Sequence, residues 1–133
     1  MKILIVGEGA RPHGLAVALE TAGADVERPP KSASGATHGD EVGELAAALI
    51  AFERLFAGDP PDAVLLVSAS NLALAAVLVA TKVQIPVAAL AQTAQGEDRM
   101  SEMNRRLIEQ LADGTVAGDA ETIAASLSNL IAA

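Results

Sequence analysis

Apolar residues change their spacing repeatedly along this chain, and the changes predict five strands alternating with five helices. Ile3 to Val6 is an unbroken apolar run ending at Gly7, which suits a parallel strand buried on both faces. Leu15 to Ala22 follows as a helix, with Gly23 placed to close it in the C′ position. Ala24 to Arg28 reads as a short second strand. Val42, Leu45, Leu49, Phe52 and Phe56 then recur every three or four residues, a helical stripe that begins at Asp40 as N-cap and stops at Gly58, Pro60 and Pro61. Ala63 to Val67 is the third strand and Asn71 to Thr81 its helix. Ile85 to Leu90 is the fourth strand, with Pro86 near its start, where a missing N–H is tolerated. Met100, Met103, Leu107 and Leu111 set the inward face of a further helix, leaving Arg105, Arg106 and Glu109 outward. Thr115 to Ala117 is a short fifth strand. Asp119 then caps a last helix that turns Ile123, Leu127 and Leu130 inward.

That alternation demands a parallel sheet with helices on both faces and right-handed crossovers. The expected fold is one α/β domain over residues 1–133, three-layered and doubly wound in the Rossmann or flavodoxin manner, with strand order 2-1-3-4-5. Such sheets take their ligands beyond the carboxyl ends of the strands, near the switch between the first and third. The loops that matter are therefore Gly7 to Gly14, Ser68 to Asn71 and Ala91 to Asp98. Pro29 to His38, rich in Pro, Ser and Gly, reads as a mobile surface loop.

Composition narrows the partners. Hydrophobic residues are 51% of the 133 and charged ones 20%, enough to bury a core and exclude a disordered chain. Aromatics are 2%, with no Trp or Tyr, which removes the stacking platforms that single-stranded nucleic acid needs. A net charge of −8 argues against any polyanion, so nucleic acid is not an expected partner. There is no cysteine, hence neither a disulfide nor a Cys-based zinc site. The opening apolar run is too short for a secretory signal, and Leu72 to Ala80 is too short to span a bilayer. A cytoplasmic protein without a membrane partner is the expectation.

The loops offer binding groups rather than a catalytic set. Glycines in Gly7-Glu8-Gly9-Ala10-Arg11-Pro12-His13-Gly14 would let an anion approach the following helix, with Arg11 as its clamp, while Glu8 in the same loop would repel a phosphate. The same glycines equally suit a tight strand-to-helix turn without a ligand. This is not a dinucleotide fingerprint, because the third glycine would fall on Pro12, and no Gly-Lys-Ser/Thr exists for a phosphate loop of the Walker kind. Ser68 and Ser70 either cap the third helix or offer hydroxyls to a ligand. His13 and His38 have neither the spacing of metal ligands nor a nucleophile beside them, and Asp40 reads as a helix start. No catalytic residue, metal or cofactor is assigned. A receiver domain is excluded by the missing aspartate at the third strand's end, and a flavodoxin by the missing Ser/Thr-rich phosphate loop and aromatic walls.

Several segments carry a family likeness. Gly9-Ala10-Arg11-Pro12 is similar to a G-x-R-P loop, displaced by two inserted residues; Leu45 to Val67 is similar to a helix followed by P-D-x-V-L-V. Leu74 to Ala80 with Ile85 to Ala88 is similar to L-A-A-A-L-A-A … I-P-V-A-H. Glu102-Met103-Asn104-Arg105-Arg106-Leu107-Ile108 matches E-x-N-R-R-L-I, the most specific of these, and Leu111-Ala112-Asp113 continues it. Together they resemble part of the N-terminal Rossmann-like domain of the non-hydrolysing UDP-N-acetylglucosamine 2-epimerases. The departures fall on the chemistry: the aspartate of the family's G-D-T loop corresponds to Ala69, and the glutamate of its E-A-G loop to Ala91. Alanine moves no proton, and Glu102 alone remains among the plausible carboxylates.

The resemblance implies a nucleotide sugar, or another small anionic ligand, held without stand-alone epimerase activity. The family's second, UDP-binding domain is not contained in these residues. The other reading is a non-catalytic partner module, or the acceptor half of a two-chain sugar-nucleotide enzyme. The expected ligand site gathers Gly9, Arg11, Pro12, Ser68, Ser70, Asn71, Gln92 and Glu102 over strands one, three and four. A second UDP-binding subunit or a second copy of the chain are the partners these readings admit, the latter because the helical surfaces are rich in Ala and Leu.

Overall fold

A computed structural model describes residues 1–7, 10–30, 41–91 and 98–133, with the backbone alone at residues 10 and 11. Its elements are β1 (Lys2–Val6), α1 (Ala10–Thr21), β2 (Asp25–Glu27), α2 (Glu41–Gly58), β3 (Ala63–Leu66), α3 (Asn71–Lys82), β4 (Val87–Leu90), α4 (Arg99–Leu111), β5 (Gly114–Val116) and α5 (Ala120–Ala132). All four strand pairings are parallel, and the sheet order is β2-β1-β3-β4-β5, as the alternation demanded. Leu4 pairs with Glu27 on one side and Val64 on the other; Leu65 pairs with Ala88, and Ala89 with Thr115.

Because the central strands are apolar on both faces, the core divides in two. Leu4, Val6, Val64, Leu66 and Val87 point to the layer that holds α2, α3 and α4, where Phe52 and Phe56 stack at 5.6 Å. Ile3, Ile5, Leu65, Ala88 and Leu90 point to the opposite layer, closed by Leu19 of α1 and by Ile123 and Leu127 of α5. Gly23 ends α1 as the sequence implied. It has φ +98°, its N–H donates to Glu20 O and that of Ala24 to Leu19 O, both at 3.0 Å, which is the Schellman closure.

Two expectations need correction. Helix α1 starts at Ala10, not Leu15. Pro12 sits in its first turn, where backbone N–H groups have no partner within the helix, so proline costs no hydrogen bond there. The inward face of α4 is also rotated. Asn104 and Ile108 are buried, while Met100, Met103 and Leu107 are exposed, Met103 by 49%. Counting only apolar residues missed the amide, which belongs inside because it has partners there. Val42 on α2 is exposed as well. The N-cap expected at Asp40 and most of the loop expected at 29–38 lie outside the described residues.

Asp98 and Asp119 cap α4 and α5, accepting from the N–H groups of Ser101 and Thr122 at 2.8 Å. Those backbone donors hold both carboxyls below the ordinary aspartate range. A lowered folded pKa contributes stability that is full above the unfolded value, about 3.9, and lost as pH falls through the folded one. A double Asp98→Asn, Asp119→Asn variant keeps both caps but removes this titration. Its melting temperature is expected to fall less than the wild type's when pH is lowered below about 4.

Gly7 has no substitute. Its φ is +152°, and a Cβ there would lie 2.2 Å from Val67 Cγ2 on the neighbouring strand connection. Gly7→Ala is therefore expected to cost on the order of 1–3 kcal/mol, from overpacking together with backbone strain. Urea denaturation reads that loss as a lower midpoint at unchanged slope.

Candidate functional site

Each parallel crossover returns the chain from the carboxyl edge of the sheet to its amino edge, so every helix begins at the carboxyl edge. The positive ends of five helix dipoles therefore gather on one side of the molecule. The first turns of three of these helices carry acids: Glu41 and Glu44 in α2, Glu102 in α4 and Glu121 in α5. Those of α1 and α3 carry none. These two acid-free starts follow β1 and β3, neighbours in the sheet, which is the switch point where such folds take ligands.

The loop after β3 is built by local hydrogen bonds. Ser70 is the N-cap of α3, its Oγ accepting from Ala73 N at 3.1 Å. Ser68 Oγ lies 3.2 Å from Ser70 Oγ. Behind this loop runs a buried amide relay. Asn104 Nδ2 of α4 donates to Ala69 O at 3.2 Å and to Asn71 Oδ1 at 3.0 Å, and Asn71 Nδ2 donates to Glu41 Oε2 of α2. Asn71 and Asn104 are only 8% and 6% exposed. A buried amide without partners would be costly, so the relay fixes α2, α3 and α4 relative to the loop.

Beneath α4, at the ends of β3, β4 and β5, lies a cavity of about 30 Å³. That exceeds the roughly 10–15 Å³ that one water needs, so a hydroxyl-sized group fits. Its lining includes Ser68, Ala69, Ala91 and Thr115 from the strand ends and Arg105, Ile108 and Glu109 from α4. Arg105 Nη2 donates to Glu102 Oε1 at 2.5 Å and Nη1 to Glu109 Oε1 at 2.8 Å; Arg106 lies 3.3 Å from Glu102. The hydrogen bond from Arg105, followed by its charge, holds the Glu102 carboxyl below the usual glutamate range, and the same pairing raises the guanidinium.

The expected site residues are thus distributed as follows. Ser68 lines the cavity, Ser70 caps α3 beside it, and Pro12 is buried in the first turn of α1. Asn71 is near but turned into the relay, and Glu102 is committed to the two arginines rather than to the cavity. Gly9, Gln92 and the Arg11 side chain lie outside the described residues. Among these no cluster of three His, Asp or Glu side chains could hold a metal, and no helix is long and apolar enough to cross a membrane.

The sequence reading missed Arg105, Glu109 and Arg28. Arg28 Nη2 donates to Gly7 O, which puts a guanidinium at the end of β1. The signal for Arg105 was in the motif: once Asn104 and Ile108 point inward, their successors Arg105 and Glu109 stand about 100° round the helix, on its flank.

Comparison with known proteins agrees with this architecture. No protein-family model matches the chain, and no curated protein matches it in sequence. Among solved structures it is similar to the UDP-GlcNAc 2-epimerase of Methanocaldococcus jannaschii, with TM-score 0.72 and 22% identity over 97% of this chain and 42% of that one. The same enzyme in complex with UDP-GlcNAc and UDP gives TM-score 0.72, 23% identity, and 97% and 43% coverage. The UDP-GlcNAc 2-epimerase of Neisseria meningitidis bound to UDP-GlcNAc gives 0.64, 19%, and 96% and 43%. The chain therefore has the Rossmann-like fold found in these epimerases and spans about two fifths of their length.

The relay makes a measurable claim. Asn104→Ala removes both donors and leaves Asn71 Oδ1 short of a partner, so it is expected to cost about 1–3 kcal/mol in urea denaturation. Because the two amides share a bond, the Asn71→Ala, Asn104→Ala double variant should lose less than the sum of the single losses.

Proposed function

We propose that the chain binds a small anionic ligand, with a nucleotide sugar as the best-fitting class, over the carboxyl ends of β1, β3 and β4, and that it does not epimerise that ligand by itself. The observation that supports the binding is that two helix starts with no acid in their first turns, at α1 and α3, stand side by side on the edge that also carries the cavity under α4. An anion set between those helix ends is stabilised by their dipoles, and a guanidinium matches phosphate bidentately. Arg11, in the first turn of α1, adds a second cation by its place in the chain. Ser68 and Ser70 suit sugar hydroxyls, and the cavity takes one such group. Solved relatives of the same fold are complexes with UDP-GlcNAc, which supports the ligand class.

The absence of catalysis rests on Ala69 and Ala91, which stand at the ends of β3 and β4 against the cavity. Epimerisation needs groups that take up and return a proton, and the nearby Glu102 is held ionised by two arginines. A second reading is that the chain is the acceptor half of a two-chain sugar-nucleotide enzyme, since the solved relatives of this fold are more than twice its length.

Calorimetric titration with UDP-N-acetylglucosamine separates these readings. Binding by the wild type is expected, weakened by on the order of 1.5–3 kcal/mol in Arg11→Ala or Arg105→Ala, the range for hydrogen bonds to a charged group. No interconversion of epimers should appear by NMR. Absent binding, or equal binding by all three proteins, overturns the pocket; turnover by the purified chain overturns the non-catalytic assignment.

A further inference from the structure

The carboxyl end of β2 carries a guanidinium that the site described above does not use. Leu4 pairs with Glu27 in the parallel ladder, and Arg28 follows directly. Pro29 and Pro30 come next and have no N–H, so no backbone donor continues the ladder towards Gly7. Arg28 supplies one instead: its Nη2 donates to Gly7 O, just ahead of the start of α1. One carbonyl asks only for a neutral donor, whereas Arg28 brings a full positive charge to this edge. Its neighbour Glu27 is taken by Lys2 at 3.3 Å. No carboxylate among the described residues pairs with Arg28, which is exposed, while Arg105 and Arg106 are both paired.

We infer that Arg28 receives a phosphate of the ligand and so sets which way round that ligand lies. The inference rests on the reading of this edge as a ligand site. In doubly wound folds the end of the second strand sorts ligands by charge: an acid there accepts from ribose hydroxyls, an arginine takes a phosphate. Here Glu27 is committed to Lys2, and the guanidinium stands at Gly7, next to an α1 first turn without an acid. Positive charge and a helix start thus coincide over β1 and β2. The hydroxyl-binding side is elsewhere: Ser68 and Ser70 follow β3, and the cavity lies at the ends of β3, β4 and β5. In the sheet order β1 and β4 are two strand spacings apart, about 10 Å, a span for one sugar ring with its phosphate. The ligand class is therefore a sugar phosphate, its phosphate towards Arg28 and its ring over β3 and β4. The nucleoside of a nucleotide sugar is not needed for this contact.

NMR titration of the purified chain with N-acetylglucosamine 1-phosphate, and separately with N-acetylglucosamine, provides the test. The wild type is expected to bind the phosphate ester at least about tenfold more tightly than the free sugar. Arg28→Gln keeps an amide donor for Gly7 O but no charge. It should weaken the ester by about tenfold or more, leaving the melting temperature and the free sugar's dissociation constant unchanged. Arg28→Lys, which keeps the charge without the fork, should fall between. A purely structural role would lower both affinities together. Ester binding unchanged in Arg28→Gln, or an equal loss of ester and sugar, overturns the inference and leaves the ligand site standing. A wild type that binds neither compound overturns the site itself, and this inference with it.

Discussion

Parallel pairing of short apolar strands is the constraint from which the rest of this molecule follows. A parallel neighbour can be reached only by carrying the chain outside the sheet and back, so each strand is followed by a helix that starts at the carboxyl edge. Four such pairings bring five helix starts to one side, whatever their side chains. The electrostatic character of that side then depends on which first turns hold acids. Acids at α2, α4 and α5 leave α1 and α3 as the positive ends, next to each other across β1 and β3. In a protein of net charge −8, these two helix ends are the places on that side where the dipole is not offset by a first-turn acid.

The buried amides show how the edge is held in shape. Loops at the ends of strands have backbone groups that the sheet does not satisfy, and Ala69 O is one of them. Asn104 reaches it from α4 and joins Asn71 in the same step, while Asn71 reaches Glu41 on α2. Three helices and one loop are fixed by a few polar groups, and no buried side-chain N or O among the described residues is left without a partner. Turning Asn104 inward has two further effects. It sets Arg105 and Glu109 beside the cavity, and it leaves Met103 and Leu107 exposed. One amide thus arranges the charge of the site and the apolarity of the surface next to it.

Ala69 and Ala91 line the small cavity, and neither can take up or return a proton. They bring no titratable group to the ends of β3 and β4, and the charges that are near balance only when Arg106 is counted with Arg105 against Glu102 and Glu109. The Arg105 guanidinium is held by a carboxylate on each side, which fixes it on the flank of α4.

How far the sequence reaches can be judged element by element. Continuous apolar runs such as Ile3 to Val6 and Ala63 to Leu66 identified buried parallel strands, because only a sheet covered on both faces wants no polar side. Gly23 and Asp119 were legible as helix ends, and the cap of α3 as one of Ser68 and Ser70, since capping is local chemistry between near neighbours in the chain. The strand order followed from alternation and handedness. The face of α4 did not, because an asparagine is polar by composition and becomes interior only when Ala69 and Asn71, more than thirty residues away, supply its partners. Nor did the role of Arg105, whose position follows from that rotation, or of Arg28, which meets Gly7 only across the β1–β2 pair. The sequence by itself determined the layers and the topology, and with them the edge at which the helices begin, all set by local periodicity and chain connectivity. Tertiary structure alone decided which polar side chains turn inward and which cations face the cavity, because a hydrogen bond's worth depends on partners that only folding brings within reach.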